Sequence, residues 1–320
     1  MSNPFIEIKD VDVVFGGRVR ALDGVNLSVS KGDIIGLVGE SGSGKTTLCK
    51  VLMGLAQPTS GQIAIGSEML SDILARDPLA FRRRAQMLLQ DAAASLSPRM
   101  RIGQLLEEPL KIHGLPLTEG RARISALLKR LGLPENVLAK YPHQVSGGQA
   151  RRVAILRALL LTPEIIVADE PTAGLDLSVQ GDLLNLMLDL QGEFGLTYLI
   201  VSHNLNVIRR TTRHTAVMYL GQIVEEAPTA AIFRTPAHPY TVALLSTNPS
   251  IDPARRQKRI VVKGEIPSVV NPPSGCRFHT RCPVAQDRCS SEAPELRASA
   301  PGRSVRCHFP LNADALLATI

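Results

Sequence analysis

The stretch Gly39-Glu40-Ser41-Gly42-Ser43-Gly44-Lys45-Thr46 follows directly on the apolar run Ile34-Ile-Gly-Leu-Val38 and leads into Thr47–Leu55, where apolar residues recur at helical spacing. A strand entering a loop of the form G-x-x-x-x-G-K-[ST], with a helix leaving it, is the arrangement of a phosphate-binding loop. Several backbone N–H groups must converge on phosphate oxygens there, and glycines permit this by removing side-chain bulk and tolerating unusual dihedrals. The helix N-terminus adds favourable partial charge. Lys45 is expected to reach the β- and γ-phosphates and the Thr46 hydroxyl to ligate magnesium. The nucleotide-binding set is read as Gly39, Glu40, Ser41, Gly42, Ser43, Gly44, Lys45, Thr46 and Thr47. A glycine-rich turn carrying a surface lysine would not need this strand before it and this helix after it. Downstream, Ile165-Ile-Val-Ala-Asp169-Glu170 reads as a buried strand ending in two acids. Carboxylates at such a position are costly unless a cation or an electropositive site receives them. Asp169 can hold the magnesium, directly or through water, and Glu170 can orient and polarise an attacking water.

Outward from these elements, the 320 residues are 44% hydrophobic and 20% charged, an ordinary globular balance that argues against wholesale disorder. There is no Trp, so the core is expected to be Leu, Ile, Val and Ala. No apolar run approaches the roughly 18–20 residues of a membrane-spanning helix. The opening MSNPFIEIKD has no apolar signal region, so the chain is read as neither secreted nor self-inserting. The net charge of +7 is uneven: residues 251–320 carry 11 Lys/Arg against 6 Asp/Glu, while residues 1–250 carry 25 against 23. The bulk of the chain is therefore no polyanion binder, and no nucleic-acid partner is expected.

Strand-like runs at Phe5–Val14, Val25–Val29 and Ile34–Val38 precede a change of character over 91–161, where helical periodicity dominates, as at Ile124, Leu127, Leu128 and Leu131. Strand patterns return at Ile165–Ala168 and Tyr198–Val201, separated by the helical pattern Leu183–Leu190. This alternation favours an α/β fold with a largely parallel or mixed sheet and a helical insert. Pro and Arg become frequent after about Ser246, and the domain boundary is placed there. The expected domains are 1–250, with the helical subdomain at about 91–161, and a cysteine-bearing tail at 251–320.

Between the two acid- and phosphate-handling elements lies Val145-Ser146-Gly147-Gly148-Gln149, followed by Ala-Arg-Arg and the apolar helix Val153–Leu161. With it, residues 5–250 resemble the ATP-binding subunits of ABC transporters, and the motifs occur in that family's order. The resemblance implies an ABC-type P-loop ATPase with Phe15 stacking on adenine, Gln90 in the loop joining sheet to helical subdomain as a further magnesium contact, and Asp169 through Pro171 as the Walker B region. It implies that Ala173-Gly-Leu-Asp176 touches the partner subunit through Asp176, and that His203 contacts the γ-phosphate. Taken singly, Phe15 also reads as a core residue, Gln90 as a solvated loop residue, His203 as a helix cap and Ser146 as an ordinary N-cap. Two positions depart from the family pattern: Val145 replaces the usual Leu, and Ala-Gly-Leu-Asp replaces Ser-Ala-Leu-Asp, which loses one hydroxyl and adds flexibility. The resemblance further implies a head-to-tail pair, in which Ser146, Gly147, Gly148 and Gln149 of one subunit cover ATP on the other. Hydrolysis would then proceed by in-line attack of water, with Glu170 as general base and Lys45, magnesium, His203 and the opposing signature stabilising charge.

The segments Phe233-Arg-Thr-Pro-Ala-His238-Pro239-Tyr240-Thr241 and Gly275-Cys-Arg-Phe-His-Thr-Arg-Cys282-Pro, with Gln90-Asp-Ala-Ala-Ala-Ser-Leu-Ser-Pro-Arg-Met, resemble the oligopeptide/dipeptide import ATPases. That resemblance implies a peripheral protein on the cytoplasmic face of the inner membrane. It also implies a second ATPase subunit (paralogous or identical), two permease subunits and an extracytoplasmic peptide-binding protein acting indirectly. Nickel-import and phosphonate-related ATPases share the core, and a soluble, non-transport ABC ATPase is a further alternative. The tail cysteines Cys276, Cys282, Cys289 and Cys307 are separated by 5, 6 and 17 residues, which matches neither a zinc ribbon nor the common ferredoxin runs. Disulfides are not expected in a cytosolic ATPase. Each cysteine has an adjacent arginine (Arg277, Arg281, Arg288, Arg306), expected to lower thiolate pKa and offset cluster charge. Related peptide importers carry an iron–sulfur cluster in this tail, so a 4Fe-4S cluster on the four cysteines is expected, with zinc or four reduced thiols as alternatives. Cys49 is read as a small buried apolar residue.

Overall fold

The structure is a computed structural model and describes residues 4–92, 94–247 and 264–311. The expected boundary near residue 250, with the Pro/Arg-rich stretch around it, lies outside the described residues. The chain divides into two compact units, one of Met1–Ser30, Ile34–Ser67 and Ile200–Ile320, the other of Lys31–Asp33 and Glu68–Leu199.

The first unit is built on strands. Ile6–Phe15 pairs antiparallel with Val19–Val29 on one side and with Ser60–Ile65 on the other. Burial along Ile6–Phe15 alternates at Ile6 and Ile8 and again at Val11 and Val13, the phase shifting between them at an irregularity where Asp10 adopts φ 47°. The phosphate-loop strand Ile34–Val38 is buried at every residue and runs parallel to His214–Tyr219. This last strand turns back antiparallel into Gln222–Pro228 through Leu220 and Gly221, both at positive φ (44° and 81°). Two successive positive-φ residues suit a two-residue hairpin whose twist matches its strands. The tail hairpin Arg297–Ala300/Arg303–Val305 extends this sheet through pairing of Val305 and Ser304 with Glu225 and Glu226.

The second unit is mainly helical. Ile102–Ile112, Leu117–Arg130 and Gly147–Leu159 fall in the expected helical region, and Ile124, Leu127 and Leu128 are buried on one face. A parallel pair, Ala85–Leu88 and Ile165–Asp169, carries the acidic strand end, and every residue of Ile165–Asp169 is buried. The fold is α/β with parallel and antiparallel pairings. This is the mixed sheet expected, with antiparallel pairs where short turns such as Leu220-Gly221 join neighbouring strands. Among the described residues, no helix is long and apolar enough to cross a membrane.

Glu225, fully buried, ties the C-terminal segments to this sheet. Its carboxylate accepts from the N–H groups of Ala237 (2.8 Å) and His238 (2.9 Å) and lies 3.7 Å from the Arg303 guanidinium. Burial raises its pKa, and those partners oppose the shift. Glu225→Ala leaves Arg303 without its carboxylate and two N–H groups without acceptors, so a loss of about 3 kcal/mol is expected in urea unfolding. Unchanged unfolding in urea would refute this assignment.

Candidate functional site

In the first unit, backbone geometry explains the glycines of the phosphate loop. A Cβ on Gly39 would run into the Met218 carbonyl. Gly44 has φ +105°, and a Cβ there would stand 2.6 Å from the Ala21 carbonyl. Gly44 caps the helix Lys45–Leu52 without any side-chain hydrogen bond to its first turn. A helix N-terminus left without a side-chain cap suits an anion. Lys45 Nζ donates to the carbonyls of Gly39 (2.8 Å) and Glu40 (2.9 Å) and to Ser43 Oγ (3.2 Å), so the ammonium is held over its own loop. The loop is braced from behind, since the Gly221 N–H donates to the Ser43 carbonyl at 2.8 Å. Ser41, Gly42 and Thr46 are exposed, while Glu40, Gly44 and Thr47 are half-buried.

Phe15 ends its strand 48% exposed, which removes the core reading and leaves its ring open for stacking. His203 is exposed, and Asn204, not His203, caps the helix Leu205–Thr211 by accepting from the Asn206 N–H. The cap reading of His203 is thereby corrected.

In the second unit, Asp169 and Glu170 are each 8% exposed. Glu170 has φ +50°, a left-handed conformation that costs a non-glycine residue about 1–3 kcal/mol and persists only where surroundings impose it. Arg151, which the sequence alone does not single out, is one residue that holds it. Its Nη1 donates to the carbonyls of Glu170 (3.0 Å) and Pro171, and its Nη2 to those of Ala173 (2.9 Å) and Gln90 (3.0 Å). One guanidinium thus gathers the acidic strand end, the start of the Ala173–Asp176 loop and the Gln90 loop. Burial lowers the Arg151 pKa, with Asp91 pulling the other way. The sequence signal was an arginine two residues past Gln149, indistinguishable there from a solvated helix residue.

Arg151 sits on the helix Gly147–Leu159, whose start is a complete capping box. Ser146 Oγ accepts from the Gln149 N–H, and Gln149 Oε1 accepts from the Ser146 N–H, both at 3.2 Å. Ser146 and Gly147 are exposed, and Gly148 and Gln149 are half-buried. Asp176 is exposed at the start of Leu177–Phe194, beside Leu177 at 83% exposure. Gln90 is exposed.

The tail cysteines converge. Cys276, Cys282, Cys289 and Cys307 line one small, mostly apolar cavity with Phe278 and His238, with free room of about 10 Å³ and partly open to solvent. Backbone bonds from Cys276 N–H to the Cys289 carbonyl (2.8 Å) and from His279 N–H to the Cys276 carbonyl (3.0 Å) hold this arrangement. Burial pushes Cys282 up to about 11 and Cys307 up to about 12. Cys276 is also raised by burial, against a smaller downward pull from Arg306. The expectation that four adjacent arginines lower these values is corrected: Arg277 pairs with Asp23 (2.6 Å), Arg281 with Glu40 (2.7 Å) and Arg288 with Glu292 (2.7 Å). Among the described residues, no group of three or more His, Cys, Asp or Glu is gathered as a single metal-ion site. Cys49 is buried, as expected.

Comparison with known proteins agrees with this geometry. The ABC transporter family matches residues 22–173, and the oligopeptide/dipeptide transporter C-terminal region matches residues 224–289. The putative oligopeptide transport ATP-binding protein YkfD of Bacillus subtilis (strain 168) is 44% identical, over 97% of this chain and 97% of its own. Among solved structures, cbiO1 from Clostridium perfringens, part of the ABC transporter complex cbiONQ, superposes with a TM-score of 0.67 at 27% identity, covering 72% of this chain and 91% of that one. The ATP-binding cassette MJ0796, solved as a dimer in a post-hydrolysis state with ADP and Pi, gives 0.63 at 31% identity, covering 70% and 98%.

Arg151→Lys keeps the charge but cannot donate to four carbonyls at once. It is expected to slow nucleotide hydrolysis about tenfold or more, with ATP affinity nearly unchanged. Full turnover in steady-state assays would show that Arg151 does not set the geometry at Glu170.

Proposed function

Because this chain belongs to the family of ABC transporter ATP-binding proteins, we propose that its ATP hydrolysis drives import of di- or oligopeptides across the cytoplasmic membrane. The peptide assignment is supported by the oligopeptide/dipeptide C-terminal region and by the relative's name. In this reading the protein works peripherally on the cytoplasmic face, with a second ATPase subunit, identical or paralogous, two permeases and, indirectly, an extracytoplasmic peptide-binding protein.

The observation that carries the mechanism is the exposed, Ser146-capped start of Gly147–Leu159. A helix N-terminus presented to solvent suits an anion brought by another body. Ser146, Gly147, Gly148 and Gln149 accordingly cover ATP held by the partner subunit, and Asp176 contacts that subunit. In its own site, the backbone from Gly39 to Thr47 binds the phosphates and Phe15 stacks on adenine. Lys45 leaves its loop carbonyls for the β- and γ-phosphates, so one set of acceptors replaces another around the ammonium. Glu170 takes the proton of the attacking water, and His203 contacts the γ-phosphate. Thr46, Gln90 and Asp169 are assigned to magnesium, which when bound neutralises charge on the phosphate oxygens.

For the tail, we propose that Cys276, Cys282, Cys289 and Cys307 hold a metal–sulfur group, a 4Fe-4S cluster in preference to zinc. Support comes from four thiols lining one apolar cavity and from the likeness to peptide importers. Burial keeps Cys276, Cys282 and Cys307 protonated in the absence of a metal, and metal ligation would remove those protons. When bound, such a cluster supplies a one-electron couple or a structural crosslink.

The test is the assembled transporter in vesicles. Wild type should hydrolyse ATP and accumulate labelled peptide, and Glu170→Gln should lose about 100-fold or more in turnover while still binding ATP. Unimpaired turnover in that variant would reject Glu170 as base, and ATP hydrolysis stimulated only by nickel or phosphonate uptake would reject the peptide. Protein purified without oxygen should be brown, with iron and sulfide in equal amounts; a colourless protein with one zinc per chain would reject iron.

A further inference from the structure

Glu40 is the only acid in the phosphate loop from Gly39 to Thr46. A free carboxylate at that place would repel a triphosphate and compete for the loop's own donors. The structure holds Glu40 at three points. Arg281 grips its carboxylate in a two-pronged pair, Nη1 to Oε2 at 2.7 Å and Nη2 to Oε1 at 3.1 Å. Its N–H donates to the Tyr240 hydroxyl at 2.8 Å. Its carbonyl accepts from Lys45 Nζ at 2.9 Å.

Two of these three, Arg281 and Tyr240, come from the C-terminal region. Tyr240 belongs to His238-Pro239-Tyr240, where Pro239 starts the helix Pro239–Ser246 and His238 Nδ1 accepts from the Tyr240 N–H. Arg281 lies on the short helical turn His279–Arg281, between Cys276 and Cys282. The two are locked together by rings: Tyr219 and Tyr240 lie 4.6 Å apart, and Phe278 meets them edge-on at 5.2 and 5.4 Å. The Tyr219 hydroxyl accepts from Arg281 Nη1 at 3.3 Å, and the guanidinium carbon stands 5.8 Å from the Tyr219 ring centre. The Arg281 side chain is 8% exposed and that of Glu40 30%, so the pair is largely shielded from water. A shielded, two-pronged Arg–carboxylate pair is both directional and costly to break from one side.

We propose that Arg281 and Tyr240 are positioning residues for ATP: Arg281 neutralises the loop carboxylate of Glu40, and the two together hold the loop in the form that receives the triphosphate. The cysteine-bearing region is thereby a structural part of the nucleotide site, tied to the residue that also anchors Lys45. Loss of Arg281 need not release the tail, because Arg277 still binds Asp23 at 2.6 Å and the Leu220 carbonyl, and the hairpin Arg297–Ala300/Arg303–Val305 still pairs with Gln222–Pro228. The proposal rests on the ATP reading above.

The test is binding of a fluorescent ATP analogue to the full chain in four forms: wild type, Arg281→Gln, Glu40→Gln and the double variant. Arg281→Gln should bind about tenfold more weakly or worse, because it strands a carboxylate in the phosphate loop. The double variant should recover to within about threefold of wild type, since the stranded charge is gone. A role confined to packing the tail predicts no such rescue, so a double variant as weak as Arg281→Gln overturns the proposal. So does wild-type affinity in Arg281→Gln. Failure of the wild-type chain to bind the analogue would instead overturn the ATP reading, and the proposal with it.

Discussion

Anion recognition by backbone N–H groups at helix starts is the constraint on which the rest of this structure depends. Two helices solve it differently. Lys45–Leu52 begins at a left-handed Gly44 with no side-chain cap, an arrangement that suits the phosphate oxygens of the proposed ATP. Gly147–Leu159 begins with a full capping box from Ser146 and Gln149, which fixes the start of the helix while leaving it at the surface. The first arrangement suits a ligand held for a whole cycle, and the second suits one that arrives with another subunit and leaves again. The strain at Glu170 and the glycines at 39 and 44 follow from placing backbone where side chains ordinarily forbid it.

Arginine does much of the positioning in a chain with no Trp and few aromatics. Arg151 collects four carbonyls from three segments, Arg277 ties the tail to Asp23 and Leu220, and Arg281 closes on Glu40. A planar guanidinium can satisfy several acceptors at fixed angles, which a lysine cannot. These contacts are long-range in sequence, the last spanning 241 positions. Within each unit they tie separate loops together without adding apolar bulk.

The parts of the fold legible in the sequence were those with a strong local pattern. Ile34–Val38, the phosphate loop and Ile165–Asp169 stood out because a fully buried strand ends in residues whose chemistry demands a partner. Helix bounds were less legible: the apolar period marked Leu183–Leu190, while the helix runs Leu177–Phe194, since its first two turns are largely polar and exposed. The hairpin at Leu220-Gly221 was hidden because Leu carries no turn signal, although it adopts φ 44° here. The roles of Arg151 and Arg281 were invisible for a different reason, as a guanidinium's partner is set by tertiary structure and not by its neighbours in sequence. The tail arginines show this most plainly. Adjacency suggested service to the thiols, yet three of the four turn to carboxylates.

The central claim is that ATP bound on one chain's phosphate loop is completed by Ser146–Gln149 of another. It is tested most directly by native mass measurement of the ATPase pair, identical or paralogous, carrying Glu170→Gln and given ATP and magnesium. The account predicts a pair that retains two ATP molecules and that fails to form when Ser146→Arg is added. A chain that keeps ATP as a lone subunit and never pairs, or a pair indifferent to Ser146→Arg, would contradict it.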